Sequence, residues 1–370
     1  MIRVLALVQK RPGLTPGQRF RLEQWAPRLR TQHGISLDFA PFESPALTSI
    51  LYQPGRRLAK AELILQDAIR RREVIARAPD YDAVIIYRAA SLLGPAIYER
   101  LLARAGVPLI FDFDDAIWLT GPGSANGMYS HLGFRRKTAT ICRLASAVVV
   151  GNDFLAEYAR RYSKRVFVVP TTVELDTSPL QPPIVAEGPF RIVWAGSFSS
   201  LQHLDVVRRP LERFAQTQAT ILRVICSHPP KAPFQGVELE FVPWTAEDEA
   251  LKLARSHVGI MPLPDNEFSR GKCGLKALQY MAVGRPVVVS PVGVNAEIVR
   301  HGENGLLAST DEEWLQAFQA LAASPLLRER LGLAGRSTVE ERFSAKVGAA
   351  AFAAVVNDVL ERSSRRLRVV

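Results

Sequence analysis

Short apolar runs bounded by turn or polar residues recur along this chain, separated by stretches of helical periodicity, and the pattern is run through twice. In the first half the runs fall at residues 3–8, 36–40, 83–87, 109–113, 147–150 and 166–169, with helical patterns at 19–32 and 95–105. Runs this short and this apolar are those of strands buried on both faces, and their alternation with helices predicts a parallel sheet covered on each side. Five prolines (170, 179, 182, 183 and 189) then interrupt any periodicity. Beyond them the pattern restarts, with strands expected at 191–195, 222–226, 237–241, 258–261 and 286–289 and helices at 204–217, 247–256, 275–283 and 312–322. The expectation is an α/β chain of two doubly wound domains: residues 1–172, a linker at 173–189, and residues 190–344. An alanine-rich helix at 345–362 is expected to pack back on the first domain.

Composition narrows the class. At 370 residues, 48% hydrophobic and 22% charged, the chain suits two globular cores, and no apolar run approaches the ~20 residues that span a bilayer. The apolar opening at 2–8 runs into Gln9, Lys10, Arg11 and Pro12 without a small-residue cleavage site, so it reads as a strand and not a signal peptide. Cys142, Cys226 and Cys273 lie far apart, which forms neither a metal spacing nor a disulfide framework and suits a reducing cytoplasm. The histidines form no metal pair. A formal net charge of +11, with basic clusters at 19–30, 56–60, 70–72, 135–137 and 365–368, would attract nucleic acid or an anionic membrane face, and genome composition alone can also produce it. No zinc finger, RNA-recognition signature or basic zipper is present, so nucleic acid is not the expected partner. Absence of a Walker loop, a Gly-x-Ser-x-Gly elbow and a Gly-x-Gly-x-x-Gly fingerprint weakens the nucleotide triphosphatase, hydrolase and dehydrogenase readings.

Ligands of open parallel sheets bind at strand carboxyl ends, where helix N-termini present unpaired N–H groups. Three such ends stand out. In the first, Gly196 and Ser197 follow a strand directly, and backbone amides and hydroxyls there can receive phosphate oxygens; an ordinary turn uses the same residues. In the second, Arg270 and Lys272 precede a helix start at Cys273, Gly274 and Leu275, where the helix dipole already favours an anion. Lys272, Lys276 and Gln279 fall at i, i+4 and i+7, a spacing that shares one helix face. Arg270 and Lys272 suit a diphosphate, and Gln279 a ribose hydroxyl. A solvated basic helix end is the plain alternative, but the stripe of Ala277, Leu278, Met281 and Ala282 places the helix against a core. In the third, Asp112 and Asp114 alternate to one side of a buried strand. Buried carboxylates need partners, whether cations, helix N-termini, hydroxyls or a metal, and two aspartates alone make a poor metal cage. Asp115 is expected to cap a helix starting near Ala116. Arg88, at the end of the 85–87 strand, either neutralises the aspartates or contacts an acceptor anion.

Taken in order, FDFDDAIW (111–118), VGND (150–153), RGKCGLKALQYMA (270–282), Gly284-Arg285-Pro286-Val287-Val288 and the stretch from Glu297 through Gly302-Glu303-Asn304-Gly305-Leu306-Leu307 resemble the retaining glycosyltransferases of family 4 and their relatives. The resemblance implies the GT-B fold, two Rossmann-like domains facing across a cleft. It implies a nucleotide-diphosphate sugar bound mainly by the second domain, a glycan or lipid-linked acceptor bound by the first, no metal and no separate cofactor. Gly13, Arg88 and Asp112 would lie on the acceptor side, with Asp114 lining the reaction centre. Val242 and Trp244 would hold the base, and Gly293 and Val294 would face the donor sugar. The family's usual pair of glutamates separated by seven residues falls here on Gly271 and Gln279, a departure that turns attention to Lys272, Lys276 and Gln279, with Asp265 or Glu267 toward the sugar hydroxyls. The basic residue that often follows the strand at Trp194 is replaced by Ser197, Ser199 and Ser200. Arg270 and Lys272 then become the diphosphate clamp. The expected setting is cytoplasmic, peripheral at the inner face of the cell membrane, in synthesis of surface polysaccharide or glycoconjugate. A sugar-nucleotide epimerase and a non-catalytic nucleotide- or glycan-binding protein are the alternatives on the same fold.

Overall fold

A computed structural model describes residues 1–92, 94–119, 135–182, 188–230 and 232–367. The chain divides into two units, Met1–Pro170 with Gly348–Val370, and Thr171–Val347. In the first, β1 (Ile2–Val8), β2 (Ile35–Pro41), β3 (Ala83–Tyr87), β4 (Leu109–Phe113), β5 (Ala147–Val150) and β6 (Val166–Val168) form a parallel sheet in the order β2-β1-β3-β4-β5-β6. In the second, β7 (Phe190–Ala195), β8 (Thr220–Cys226), β9 (Glu238–Pro243), β10 (Val258–Met261), β11 (Val287–Val289) and β12 (Leu306–Leu307) are ordered β12-β11-β10-β7-β8-β9, again parallel. Central strands such as β3 and β10 are buried along their whole length, which is why they appear in the sequence as unbroken apolar runs; β4 is equally buried and is interrupted only by Asp112.

Each order reverses once. The chain leaves β1 toward β2 and returns on the other side at β3; it leaves β7 toward β8 and β9 and returns at β10. Adjacent connections there run to opposite faces and open a crevice at the strands' carboxyl ends. The loops after β1 and β3, and those after β7 and β10, therefore occupy the positions where each unit can hold a ligand.

Two expected helices are broken. The 19–32 segment is a short helix (Pro16–Gln18), a π-turn (Arg19–Glu23) and a separate helix Ala26–His33, because Pro27 has no N–H to continue the ladder and instead starts a new helix. Likewise 204–217 is a 3-10 segment (Phe198–Val207) followed by Arg208–Ala215, which carries Pro210 in its first turn. Residues of the proline-rich stretch up to 182 are tied along the second unit: Val173 bridges to Ser344, the Gln181 amide donates to Val283, and Arg285 and Arg336 donate to the carbonyls of Pro182 and Ser178. Residues 183–187 lie outside the described ones. The last helix, Ala345–Leu367, packs within the first unit, where Phe352 stacks on Trp25 at 5.5 Å and Asp358 pairs with Arg165.

Candidate functional site

In the second unit the reversal between β7 and β10 gathers the residues singled out above. Gly196 leaves β7 against the ring of Trp194, and a Cβ there would sit 2.5 Å from that ring and 2.8 Å from Cε of Lys276. The Lys276 ammonium in turn lies 5.0 Å over the Trp194 ring. Any side chain at 196 would displace the lysine, so glycine is what lets the two segments meet. Ser197 continues the turn, its hydroxyl within 3.0 and 3.2 Å of those of Ser199 and Ser200.

The helix Leu275–Ala282 begins at Gly274, whose φ of 68° lies in the left-handed region. A Cβ there would also come within 2.3 Å of Cδ1 of Ile298, so both conformation and space demand glycine. Gly274, as the N-cap, has no side chain to accept from the first turn, whose amides point out of the helix end. Lys272 sits in the turn before it, its ammonium 4.3 Å over the Phe268 ring, and is half-buried, as is Lys276 in the first turn. Of Lys272, Lys276 and Gln279, only the last two lie on the helix, three positions apart on one face; Lys272 precedes it, and Gln279 is only 7% exposed. Cys273 and Leu275 flank the glycine, the first buried and the second half-buried. The turn that ends at Lys272 is braced from the next loop, since a Cβ on Gly293 (φ 55°) would strike the Arg270 carbonyl at 2.7 Å; Val294 beside it is buried.

His203, on the 3-10 segment after β7, was not foreseen. It is 6% exposed, and burial first, then the charges of Lys276 and Lys272, push its pKa down to about 4. A neutral imidazole thus sits where both lysine charges are felt. No local spacing signals this, because the three residues come from segments about 70 positions apart. Arg270 is less available than expected: its Nε and Nη2 donate to the two carboxylate oxygens of Asp265 at 2.7 and 3.0 Å, and the pair is close to neutral. Asp265 is correspondingly engaged. Val242 and Trp244 lie at the carboxyl end of β9 on the same edge of the sheet, both half-buried, with the Trp244 indole donating to Glu249 at 2.8 Å.

In the first unit the carboxyl ends of β1, β3 and β4 meet. The Tyr87 hydroxyl donates to Oδ1 of Asp114 at 2.8 Å, and Arg88 donates to the same oxygen through Nε (3.0 Å) and Nη2 (2.7 Å) while reaching Asp115 at 2.6 Å. Arg88 holds this position with φ 63°, uncommon for a residue with a side chain and often found at ligand sites. Of the two roles open to it, neutralising the aspartates is the one seen. Asp115 pairs with Arg88. Gly17, unremarked in the sequence beyond its loop, lies against this cluster: a Cβ there would be 2.3 Å from the Tyr87 hydroxyl and 2.9 Å from Oδ2 of Asp114. Gly13 (φ 86°), in the same loop, donates its amide to Glu23 at 2.8 Å.

Asp112 requires a correction. It is fully buried, and both its oxygens accept from Arg21, at 2.7 Å each, while Arg21 also donates to the Val169 carbonyl. A carboxylate with no exposed surface and a bidentate partner cannot touch an acceptor; it anchors the π-turn under the sheet's carboxyl edge. Among the described residues no group of three or more His, Cys, Asp or Glu could hold a metal ion.

With this geometry in place, similarity to known proteins can be stated. The fold is GT-B, with two Rossmann-like domains. It is shared, over 97% of this chain and 100% of the other, with sucrose-phosphate synthase from Thermosynechococcus elongatus at TM-score 0.67 and 17% identity. Anabaena HepE in complex with UDP and glucose matches over 97% of this chain and 100% of its own at TM-score 0.65 and 16% identity. A putative UDP-N-acetylglucosamine 2-epimerase from Listeria monocytogenes matches at TM-score 0.56 and 14% identity over 98% and 97%. Residues 189–324, within the second unit, match the family described as Glycosyl transferases group 1. A D-inositol 3-phosphate glycosyltransferase from Streptomyces bingchenggensis is 33% identical over 135 residues, 36% of this chain and 28% of that protein; the one from Pseudarthrobacter chlorophenolicus is 33% identical over 105 residues, 28% and 24%. The chain thus spans about a quarter of the length of the curated relatives it matches.

Proposed function

We propose that this chain is a glycosyltransferase that moves a sugar from a nucleotide-diphosphate donor to a glycan or lipid-linked acceptor. The observation that carries the reading is that half-buried Lys276 lies against Gly196 at the end of β7, in the first turn of the helix that starts at Gly274, while half-buried Lys272 sits in the turn before that helix and both charges reach His203. Two cations, a serine turn and a helix N-terminus at the carboxyl edge of one sheet suit a diphosphate. The match of residues 189–324 to a glycosyltransferase family supports it from the sequence side.

In this reading the bond between the anomeric carbon and the β-phosphate oxygen breaks while the acceptor hydroxyl attacks the same carbon. Negative charge grows on the departing diphosphate, and Lys272, Lys276 and the Gly274 amides stabilise it more in the transition state than before it. The leaving phosphate takes the acceptor's proton on the face it departs from, which gives retention of configuration without a metal. Val242 and Trp244 hold the base, Gly293 and Val294 face the sugar, and the Tyr87–Arg88–Asp114 cluster orients the acceptor. Acceptors of this kind are found at the inner face of a cell membrane, the setting we assign to the protein.

Nucleotide diphosphates and their sugars, screened by thermal shift, identify the donor, because a specific ligand stabilises only the folded state. Product analysis then separates transfer from epimerisation, the chemistry suggested by the Listeria neighbour's name: transfer yields a glycosylated acceptor and free nucleotide diphosphate, and epimerisation an altered sugar nucleotide. No stabilisation by any nucleotide diphosphate would refute the donor site.

A further inference from the structure

The outer side of one helix layer in the first unit has an unusual surface. The chain passes from β2 to β3, β3 to β4 and β4 to β5 always in the same direction across the sheet. Right-handed crossovers therefore set the helices Arg57–Ala76, Ile97–Arg104 and Arg135–Leu144 side by side on one face. The middle helix touches both others, and its Tyr98 hydroxyl donates to the Ala68 carbonyl. Whatever points away from the sheet on these helices shares one outer surface.

That surface is aliphatic and cationic. On the first helix Leu58, Leu65 and Ile69 are 89%, 62% and 53% exposed, and with exposed Arg72 they follow i, i+7, i+11 and i+14, a single stripe. On the second, the exposed residues are Ile97, Arg100, Leu101 and Arg104; its one acid, Glu99, is buried beside Lys137. Arg136 and Arg143 are exposed on the third. Arg72, Arg100, Arg104 and Arg136 make no ion pair among the described residues, and Glu62 and Glu73 are the exposed acids of the first helix. Five aliphatic side chains, from Leu101 at 38% to Leu58 at 89%, are left exposed to solvent among these arginines.

We propose that this helix layer docks on an anionic phospholipid bilayer, its leucines and isoleucines entering the boundary between headgroups and acyl chains while its arginines meet lipid phosphates. Charge sets the sign of the partner and flatness its kind: helices side by side present a broad surface and not a groove for a peptide. A second copy would bring the same positive charge. Nucleic acid would satisfy the arginines but leave the aliphatic stripe against phosphates. The docking deepens the membrane setting assigned above and names the surface that meets it; because it needs no nucleotide, its failure and that of the donor site are told apart.

The test is cosedimentation of the full chain with vesicles of phosphatidylcholine alone and of phosphatidylcholine mixed with phosphatidylglycerol. Binding is expected only to the mixed vesicles and is weakened by salt. Each arginine near an anionic surface contributes a factor of roughly 5, so Arg100→Gln with Arg104→Gln lowers partitioning ~30-fold. Leu65→Asp with Ile69→Asp should abolish it. All four positions are exposed, so melting temperature and nucleotide-induced thermal shift stay at parental values, which separates a docking defect from misfolding or loss of the donor site. Absence of binding to mixed vesicles at low salt overturns the proposal. So does undiminished binding by Leu65→Asp/Ile69→Asp, or a demonstration that this face instead captures duplex DNA, an acidic protein or a second copy of the chain.

Discussion

A lysine that meets a leaving group is worth most when it is held in place before the reaction, and Lys272 and Lys276 are held by aromatic faces, Phe268 and Trp194. Arg270, which the sequence made an equal partner, is largely neutralised by Asp265. The burden therefore shifts to the lysines. Lys272→Ala is expected to lower turnover at least ~100-fold, the scale for removing one preorganised stabiliser, with a smaller change in donor affinity. Steady-state kinetics check it, and near-parental turnover removes Lys272 from the clamp. At this scale the sequence was partly legible. Spacing alone showed that Asp112 and Asp114 need partners, because an unpaired buried carboxylate is too costly to keep. It could not show that Arg21, 91 residues away, closes on Asp112, while Arg88 takes Asp114. Pairing across a fold is set by topology, and topology brings together residues with no signature of proximity in the chain. Gly17 and His203 escaped notice for the same reason: what makes each matter is a neighbour on another strand end.

Elements were most legible where burial was complete. Residues 83–87, 109–113, 147–150 and 258–261 are strands with the limits their apolar runs suggested, since a strand enclosed on both faces is apolar at nearly every position, Asp112 being the exception among these. Helices were less legible. Arg57–Ala76 went unrecognised because its outward stripe is as apolar as its inward face, which removes the contrast that periodicity depends on. Proline decided the breaks at 27 and 210. The helix start at Gly274 has its own test. Alanine there must adopt φ near 68° and place a methyl group against Ile298, so Gly274→Ala is expected to destabilise the fold by at least ~1 kcal/mol. It should also weaken nucleotide binding by tilting the amides away from the diphosphate. Denaturant titration measures the first effect and thermal shift with the cognate nucleotide the second; an unchanged ligand shift would show that the amides are not part of the site.

For the whole molecule, the doubled pattern of runs was enough to indicate two parallel-sheet units, because only enclosed parallel strands produce it. The reversal of strand order in each sheet was not readable, although it is what places the candidate sites. Stability as a function of pH is also a property of the whole chain, and two histidines of the second unit contribute to its acid side. His203 and His257 are each pushed down to about 4, in both cases by burial first and then by nearby cations. His257 Nδ1 accepts the Arg191 amide at 2.8 Å, a bond that protonation would destroy. Between the unfolded value near 6.5 and the folded value of about 4, the unfolded chain binds these protons and the folded chain does not. Stability is therefore full above pH ~6.5 and falls as pH drops toward 4, by on the order of 1 kcal/mol per pH unit for each histidine. Glu23 and Glu43, raised mainly by burial, act with the opposite sign, since their protonation relieves a buried charge. A comparison of slopes isolates the histidines. Asparagine at 257 keeps an acceptor for the Arg191 amide but cannot titrate, and it loses the stacking on Phe190, so His257→Asn should melt lower at pH 7.5 yet lose less on acidification to pH 5. Parallel melting curves for the two proteins across that interval would mean that His257 carries its proton in the folded state, and that burial beside Arg328 and Arg191 does not keep it neutral.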